Sequence, residues 1–203
     1  MWSLCDLTLG CHRVLWSSVD PAEELAANFR GEPVPPELAR LVAFDVSAEN
    51  PYAEGFELLG TNGEELASWS DDPAFAERLF VFAQATSSGS LYAIWRADPR
   101  AALADSPVVI FGDEGGAHVV AGNVPELLQL LTFDAEPAVD WDEVSLFKDY
   151  DGYEPSDESD RYAQWLSDEL GLDPVTDPDA IVARSQANYG EAFSRWMAPY
   201  LPE

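Results

Sequence analysis

Carboxylates are the chemistry this sequence offers most freely. "SDD" (70–72), "GDE" (112–114) and "DYD" (149–151) each place two acids within reach of one cation or one substrate. Paired carboxylates can act as general acid and base, or hold a metal. None of the three fits the Asp-x-[Asp/Asn]-x-[Asp/Asn]-Gly calcium loop with its closing Glu. With 38 Asp and Glu in the chain, adjacency alone selects no pair. Cys5, Cys11 and His12 lie close together, but zinc needs four ligands at recognised spacings, and the only further histidine is His118. There is no Gly-x-Ser-x-Gly to present a nucleophile. His118 stands between Ala117 and Val119 in a strand-like run, so a structural or partner-facing imidazole is expected. No metal, no cofactor and no catalytic group is expected.

"FGDEGG" (111–116) has the glycines of a phosphate loop. A Walker-type loop, however, ends in Gly-Lys-Ser/Thr, and a dinucleotide fingerprint runs straight into a helix. Here Asp113 and Glu114 stand where phosphate would sit, and "AHVVAG" follows. Like charges repel there, and the stretch reads as a hairpin turn.

The elements that must hold these residues are clearest at the centre. "RLFVFAQA" (78–85) and "LYAIWRA" (91–97) are rich in β-formers and flank "TSSGS", which predicts a hairpin. In the second strand Leu91, Ala93 and Trp95 alternate with Tyr92, Ile94 and Arg96. "SPVVIFG" (106–112) and "AHVVAG" (117–122) predict two more strands. "NVPELLQLLTF" (123–133) predicts a helix, with Asn123 as cap, Pro125 in the first turn and Glu126 placed for a capping box. Upstream, Asp20 and Pro21 open a helix that Gly31 ends. "PPELARLVAFDV" predicts a second short helix or a turn into a strand, Phe56–Leu59 a short strand, and Asn62-Gly63 a hairpin turn. Residues 1–19 suit a strand or hairpin. Downstream, Ser156 or Asp157 can cap a helix carrying Tyr162, Trp165, Leu166 and Leu170 on one face, ended by Gly171. Asp177-Pro178 opens a last helix with Ile181, Tyr189, Phe193, Trp196 and Met197 on its apolar face and Gly190 inside.

Charge limits the partners. Thirty-eight acids against ten bases give a net charge of −28 over 203 residues. Such a field repels nucleic-acid phosphate and anionic lipid, so no direct nucleic acid and no membrane partner is expected. It attracts basic proteins, unless it serves only to keep the chain in solution. No apolar run approaches the ~18–20 residues of a membrane span. "MWSLCDLTLGCHRVLW" lacks the basic start of a signal peptide, and with two cysteines a cytoplasmic location is expected. Between 134 and 160, eleven acids face Lys148 alone, interleaved with Trp141, Phe147, Tyr150 and Tyr153. So many aromatics predict an ordered strip laid over the domain, not a linker. Trp69, Trp95, Trp141, Trp165 and Trp196 suit packing, but aromatics among acids also suit an interface centre with a charged rim.

The central block, "RLFVFAQATSSGSLYAIWR" and then "PVVIFGDEGGAHVVAGNVPELLQLL", resembles the SMI1/KNR4 family of the SUKH superfamily. The resemblance covers about residues 78–133 and rests on a pattern of hydrophobics and turns. It implies an α+β fold: a mixed or mainly antiparallel sheet with helices packed on it and C-terminal helices appended. On that basis residues 1–133 would form the SUKH-like domain, 134–160 the acidic aromatic strip, and 161–203 a helical extension of the same domain. It also implies a bacterial immunity protein that binds and neutralises a toxin domain, in many cases a nuclease with a basic cleft. Partner contacts are then expected from loops where acids and aromatics meet: Trp69, Asp71, Asp72, Asp113, Glu114, Trp141, Tyr150, Asp151 and Tyr153. A regulatory scaffold, an acidic mimic of DNA and a carboxylate-pair hydrolase are the competing expectations.

Overall fold

Short turns between β-rich runs leave a chain little choice but to pair neighbouring strands antiparallel. The computed structural model describes residues 20–60, 66–148 and 151–201. The readings made above for residues 1–19, for Asn62-Gly63 and for Tyr150 lie outside the described residues. The remaining chain is α+β. Strands β1 (Glu57–Leu58), β2 (Leu79–Gln84), β3 (Leu91–Trp95), β4 (Val108–Phe111) and β5 (Ala117–Ala121) form one sheet in chain order. Every pairing in it is antiparallel, with Leu91 opposite both Gln84 and Phe111. One end of the sheet therefore carries the β2–β3 turn, the β4–β5 turn and the start of β1.

The sheet is buried on both faces. In β3 Tyr92 and Ile94 join one apolar cluster, while Leu91, Ala93 and Trp95 join the other. The alternation read from sequence is therefore apolar on both sides, as a middle layer requires. Helices α1 (Pro21–Ala27), α2 (Pro36–Ser47), α4 (Val124–Leu131) and α5 (Ser159–Leu170) bury Leu25, Leu41, Leu127 and Leu166 in the first cluster. The short α3 (Pro73–Ala76) buries Phe75 in the second. Helix α6 (Pro178–Met197) packs along β5 and serves both: Ile181 and Val182 enter the first cluster, Phe193 and Met197 the second. It thereby shields a sheet edge that would otherwise invite pairing.

"PPELARLVAFDV" resolves as helix, because Leu38, Leu41, Val42 and Phe44 fall on one buried face. Asp20, Asn123 and Asp177 accept N-terminal amide protons of α1, α4 and α6. Glu126 does not close a box on Asn123. Its Oε2 takes the Gly122 amide at 2.8 Å, and its Oε1 takes Arg184 of α6 at 3.0 Å.

The strip after α4 differs most from expectation. It forms a hairpin, β6 (Pro137–Val139) and β7 (Val144–Leu146), whose Val139, Val144 and Leu146 pack on the first cluster. Helix α5 begins later than predicted, at Ser159. Ser156 does not cap it, because its amide and hydroxyl both donate to the buried Asp134. Among the described residues no helix is long and apolar enough to cross a membrane.

Candidate functional site

The end of the sheet where the turns gather is built from small hydrogen-bonding residues. In the β2–β3 turn Ser88 and Ser90 donate to Asp113 Oδ1 at 3.0 and 2.8 Å, joining that turn to the β4–β5 turn. These bonds, the Ser90 hydroxyl foremost, hold the exposed Asp113 carboxyl below the usual range. The β4–β5 turn closes through Gly112 N–H to the Gly116 carbonyl at 2.9 Å. Glu114 projects from it, exposed.

The β6–β7 hairpin lies against this turn. Gly116, at φ +80°, leaves room for the Asp140 carbonyl: a Cβ there would sit 2.7 Å from the Asp140 carbonyl carbon. His118 Nε2 is 2.7 Å from the same carbonyl oxygen, so that nitrogen carries the proton and donates. Beside them the indole of Trp141 rests on Gly115, where a Cβ would meet Cε2 at 2.7 Å. Even so, Trp141 is 72% exposed. Asp140, Asp142 and Glu143 flank it, all exposed. The hairpin tip is thus a protruding indole ringed by carboxylates, seated on glycines.

Of the residues singled out from sequence, Asp113, Glu114 and Trp141 come together here. Trp69 does not join them. It is half-buried, edge-on to Phe111 at 5.0 Å, in the cluster on the opposite face from the hairpin. Asp71 is exposed and Asp72 caps α3 through the Ala74 amide at 2.8 Å. Asp151 is exposed. Tyr153 donates to Asp134 Oδ2 at 3.1 Å and lies under Lys148, whose Nζ is 5.5 Å from its ring.

Asp134 is the residue that sequence reasoning passed over. It is 3% exposed and accepts from the Glu54 amide, the Tyr153 hydroxyl and the Ser156 amide and hydroxyl. Glu136 plays a similar part at the surface, taking the Ser87 amide at 3.0 Å and the Ser87 hydroxyl at 3.1 Å. Together they fix the strip to the loop before β1 and to the β2–β3 turn. Asp140, Asp142 and Glu143 were visible only as members of an acidic run. The usable signal was "VDWDEV", two valines bracketing a polar, aromatic-bearing turn.

On the β1 side of the same end, a groove of about 300 Å³ runs beside the loop from α2 to β1. Among the described residues no group of three or more His, Cys, Asp and Glu is arranged to hold a metal ion. The arrangement at the tip is suited to recognition: a large apolar contact in the middle, with like charge around it. Comparison with protein families, curated proteins and solved structures finds no match for this chain.

Proposed function

We propose that this protein is a non-catalytic immunity protein that binds and neutralises a basic toxin domain. One observation carries the binding part of this reading: Trp141, 72% exposed, stands among Asp140, Asp142, Glu143 and the turn bearing Asp113 and Glu114. An exposed indole held by glycine contacts is preorganised for burial in a partner, and little side-chain freedom remains to be lost. The surrounding carboxylates and the net charge of −28 steer a basic partner and disfavour acidic ones. The toxin part rests on the resemblance of residues 78–133 to the SMI1/KNR4 family. An acidic inhibitor of this shape would lie over the basic cleft of a nuclease and exclude its substrate. No cofactor, nucleic acid or membrane enters this mechanism, and it operates in the cytoplasm.

The test is capture from source-cell lysate at low and then high salt, with Trp141→Ala alongside. One basic protein that persists at high salt, is lost with Trp141→Ala, and is toxic unless this chain is co-expressed is the expected result. The triple change Asp113→Lys, Glu114→Lys and Asp151→Lys should weaken the same capture and flatten its salt dependence. A salt-labile smear of basic proteins, indifferent to Trp141, would sink the reading in favour of a general scaffold.

A further inference from the structure

The β6–β7 hairpin offers more than its tip. Val46, Trp141, Phe147 and Leu201 are the large apolar side chains left exposed among the described residues, and two of these four lie on this strip, with Phe147 at 59%. Alternation along β7 decides where Phe147 faces. Val144 and Leu146 pack on the first cluster, and Lys148 turns the same way, donating to the Phe133 carbonyl at 2.8 Å. Ser145 and Phe147 therefore share the outer face. Ala138 stands opposite Ser145 in the ladder and is exposed. The hairpin thus has a floor of two small residues, with Phe147 at its base and Trp141 at its tip. At about 3.3 Å per residue, β7 puts about 10 Å of strand between the two aromatics. Charge is uneven along this strip. Asp140, Asp142 and Glu143 are exposed at the tip, while at the base Glu136 is held by Ser87 and Lys148 by the Phe133 carbonyl.

We infer that the hairpin from Trp141 to Phe147 is the docking strip for an extended basic segment of a protein partner, one of whose apolar side chains seats on Ala138 and Ser145 between the two aromatics. The inference rests on the binding role proposed for the tip and adds a second anchor to it. An apolar side chain placed between two aromatics loses water on several sides at once, which is where interfaces concentrate their affinity. The small floor residues let the partner's backbone come close. Arginine or lysine next to that side chain reaches the carboxylates of the tip, so the segment's basic end lies towards Trp141. A second copy of this chain would bring the same carboxylates to the strip, and like charge disfavours it.

The test uses a defined probe. The isotope-labelled full chain is titrated with acetyl-Arg-Arg-Gly-Leu-Gly-amide at about 0.15 M salt and followed by amide chemical shifts. The same peptide with serine in place of leucine is titrated in parallel. Saturable shifts centred on residues 138–147 are expected, with the serine peptide about fivefold weaker. Phe147→Ala and Trp141→Ala should each weaken the leucine peptide about fivefold, whereas Leu201→Ala, an exposed apolar group elsewhere, should change it less than about twofold. Ala138→Arg, which obstructs the floor and repels the peptide, should abolish saturable binding. Loss with Trp141→Ala but not with Phe147→Ala would confine the contact to the tip. It would overturn this inference and leave the proposed binding role standing. Indifference to both changes would overturn both. Equal binding of the serine peptide, or the absence of saturable shifts at 138–147, would mean diffuse attraction to the acidic field and would overturn the strip. A dimer in sedimentation that Phe147→Ala dissolves would give the strip to a second copy, and would overturn it as well.

Discussion

At the scale of single residues, two carboxylates that the sequence does not distinguish do opposite things. Asp134 is buried and accepts four hydrogen bonds, and its backbone is left-handed at φ +55°, a conformation Asp tolerates better than most residues. Asp134→Ala should cost about 3 kcal/mol in urea unfolding, because the donors lose a charged acceptor. Asp134→Gly should recover about 1 kcal/mol of that loss by relieving the backbone. If Ala and Gly were equal, the φ would not be a source of strain. Glu54 is the converse case. Its folded carboxyl is raised by burial and by Asp134 and Glu136, against an unfolded value of about 4.3. Ionisation therefore weighs against the folded state at neutral pH, and that penalty disappears as pH falls below the unfolded value. Glu54→Gln should stabilise the protein near pH 7, by less than about 1 kcal/mol after solvent screening. The gain should vanish near pH 4 in the same unfolding measurement. Nothing in the sequence separates these two acids. Asp134 is turned inward by a loop 80 residues earlier, so its role exists only once the tertiary fold closes.

Among elements, the strands between residues 78 and 122 were legible because β-formers, glycine turns and chain order all agree. So were the caps at Asp20, Asn123 and Asp177, which are local chemistry. The β6–β7 hairpin was not. Strands of three residues carry too little periodicity to read, and this pair is held by contacts made elsewhere: Val144 on the first cluster, and Asp140 against Gly116 and His118. The start of α5 was displaced for the same reason, since Asp134 holds Ser156 by its amide and its hydroxyl in the loop before the helix. The candidate site was legible in part. Asp113, Glu114 and Trp141 were named, but their meeting depends on that unread hairpin. Gly116→Ala tests the dependence. Its Cβ would collide with the Asp140 carbonyl at a φ of +80°, so the hairpin must move or the turn must strain. A loss of about 1–3 kcal/mol is expected, with altered Trp141 fluorescence. Gly89, at φ +114° in the β2–β3 turn, has nothing within 4 Å of such a Cβ. Gly89→Ala should therefore strain the backbone without disturbing Trp141.

For the molecule as a whole, the governing quantity is a net charge of −28 carried on 203 residues. Four Arg–Glu ion pairs are formed among the described residues, at Arg96–Glu32, Arg161–Glu158, Arg184–Glu126 and Arg195–Glu191. Ten bases cannot neutralise 38 acids however they are placed, so the folded state carries net self-repulsion that its two apolar clusters must outweigh. Salt should therefore stabilise this protein. Raising sodium chloride from about 0.1 M to about 1 M shortens the screening length from about 10 Å to about 3 Å. The thermal midpoint should rise by at least about 3 °C, the equivalent of roughly 1 kcal/mol for a chain this size. A falling midpoint would mean that attractive pairs dominate and that the surplus acids lie too far apart to matter. The same repulsion links stability to the proposed function. A basic partner docked on the tip performs the neutralisation that salt performs diffusely. The stabilisation it confers should be largest at about 0.1 M salt and shrink towards 1 M without vanishing, because the part that comes from burial of Trp141 keeps its effect across that range.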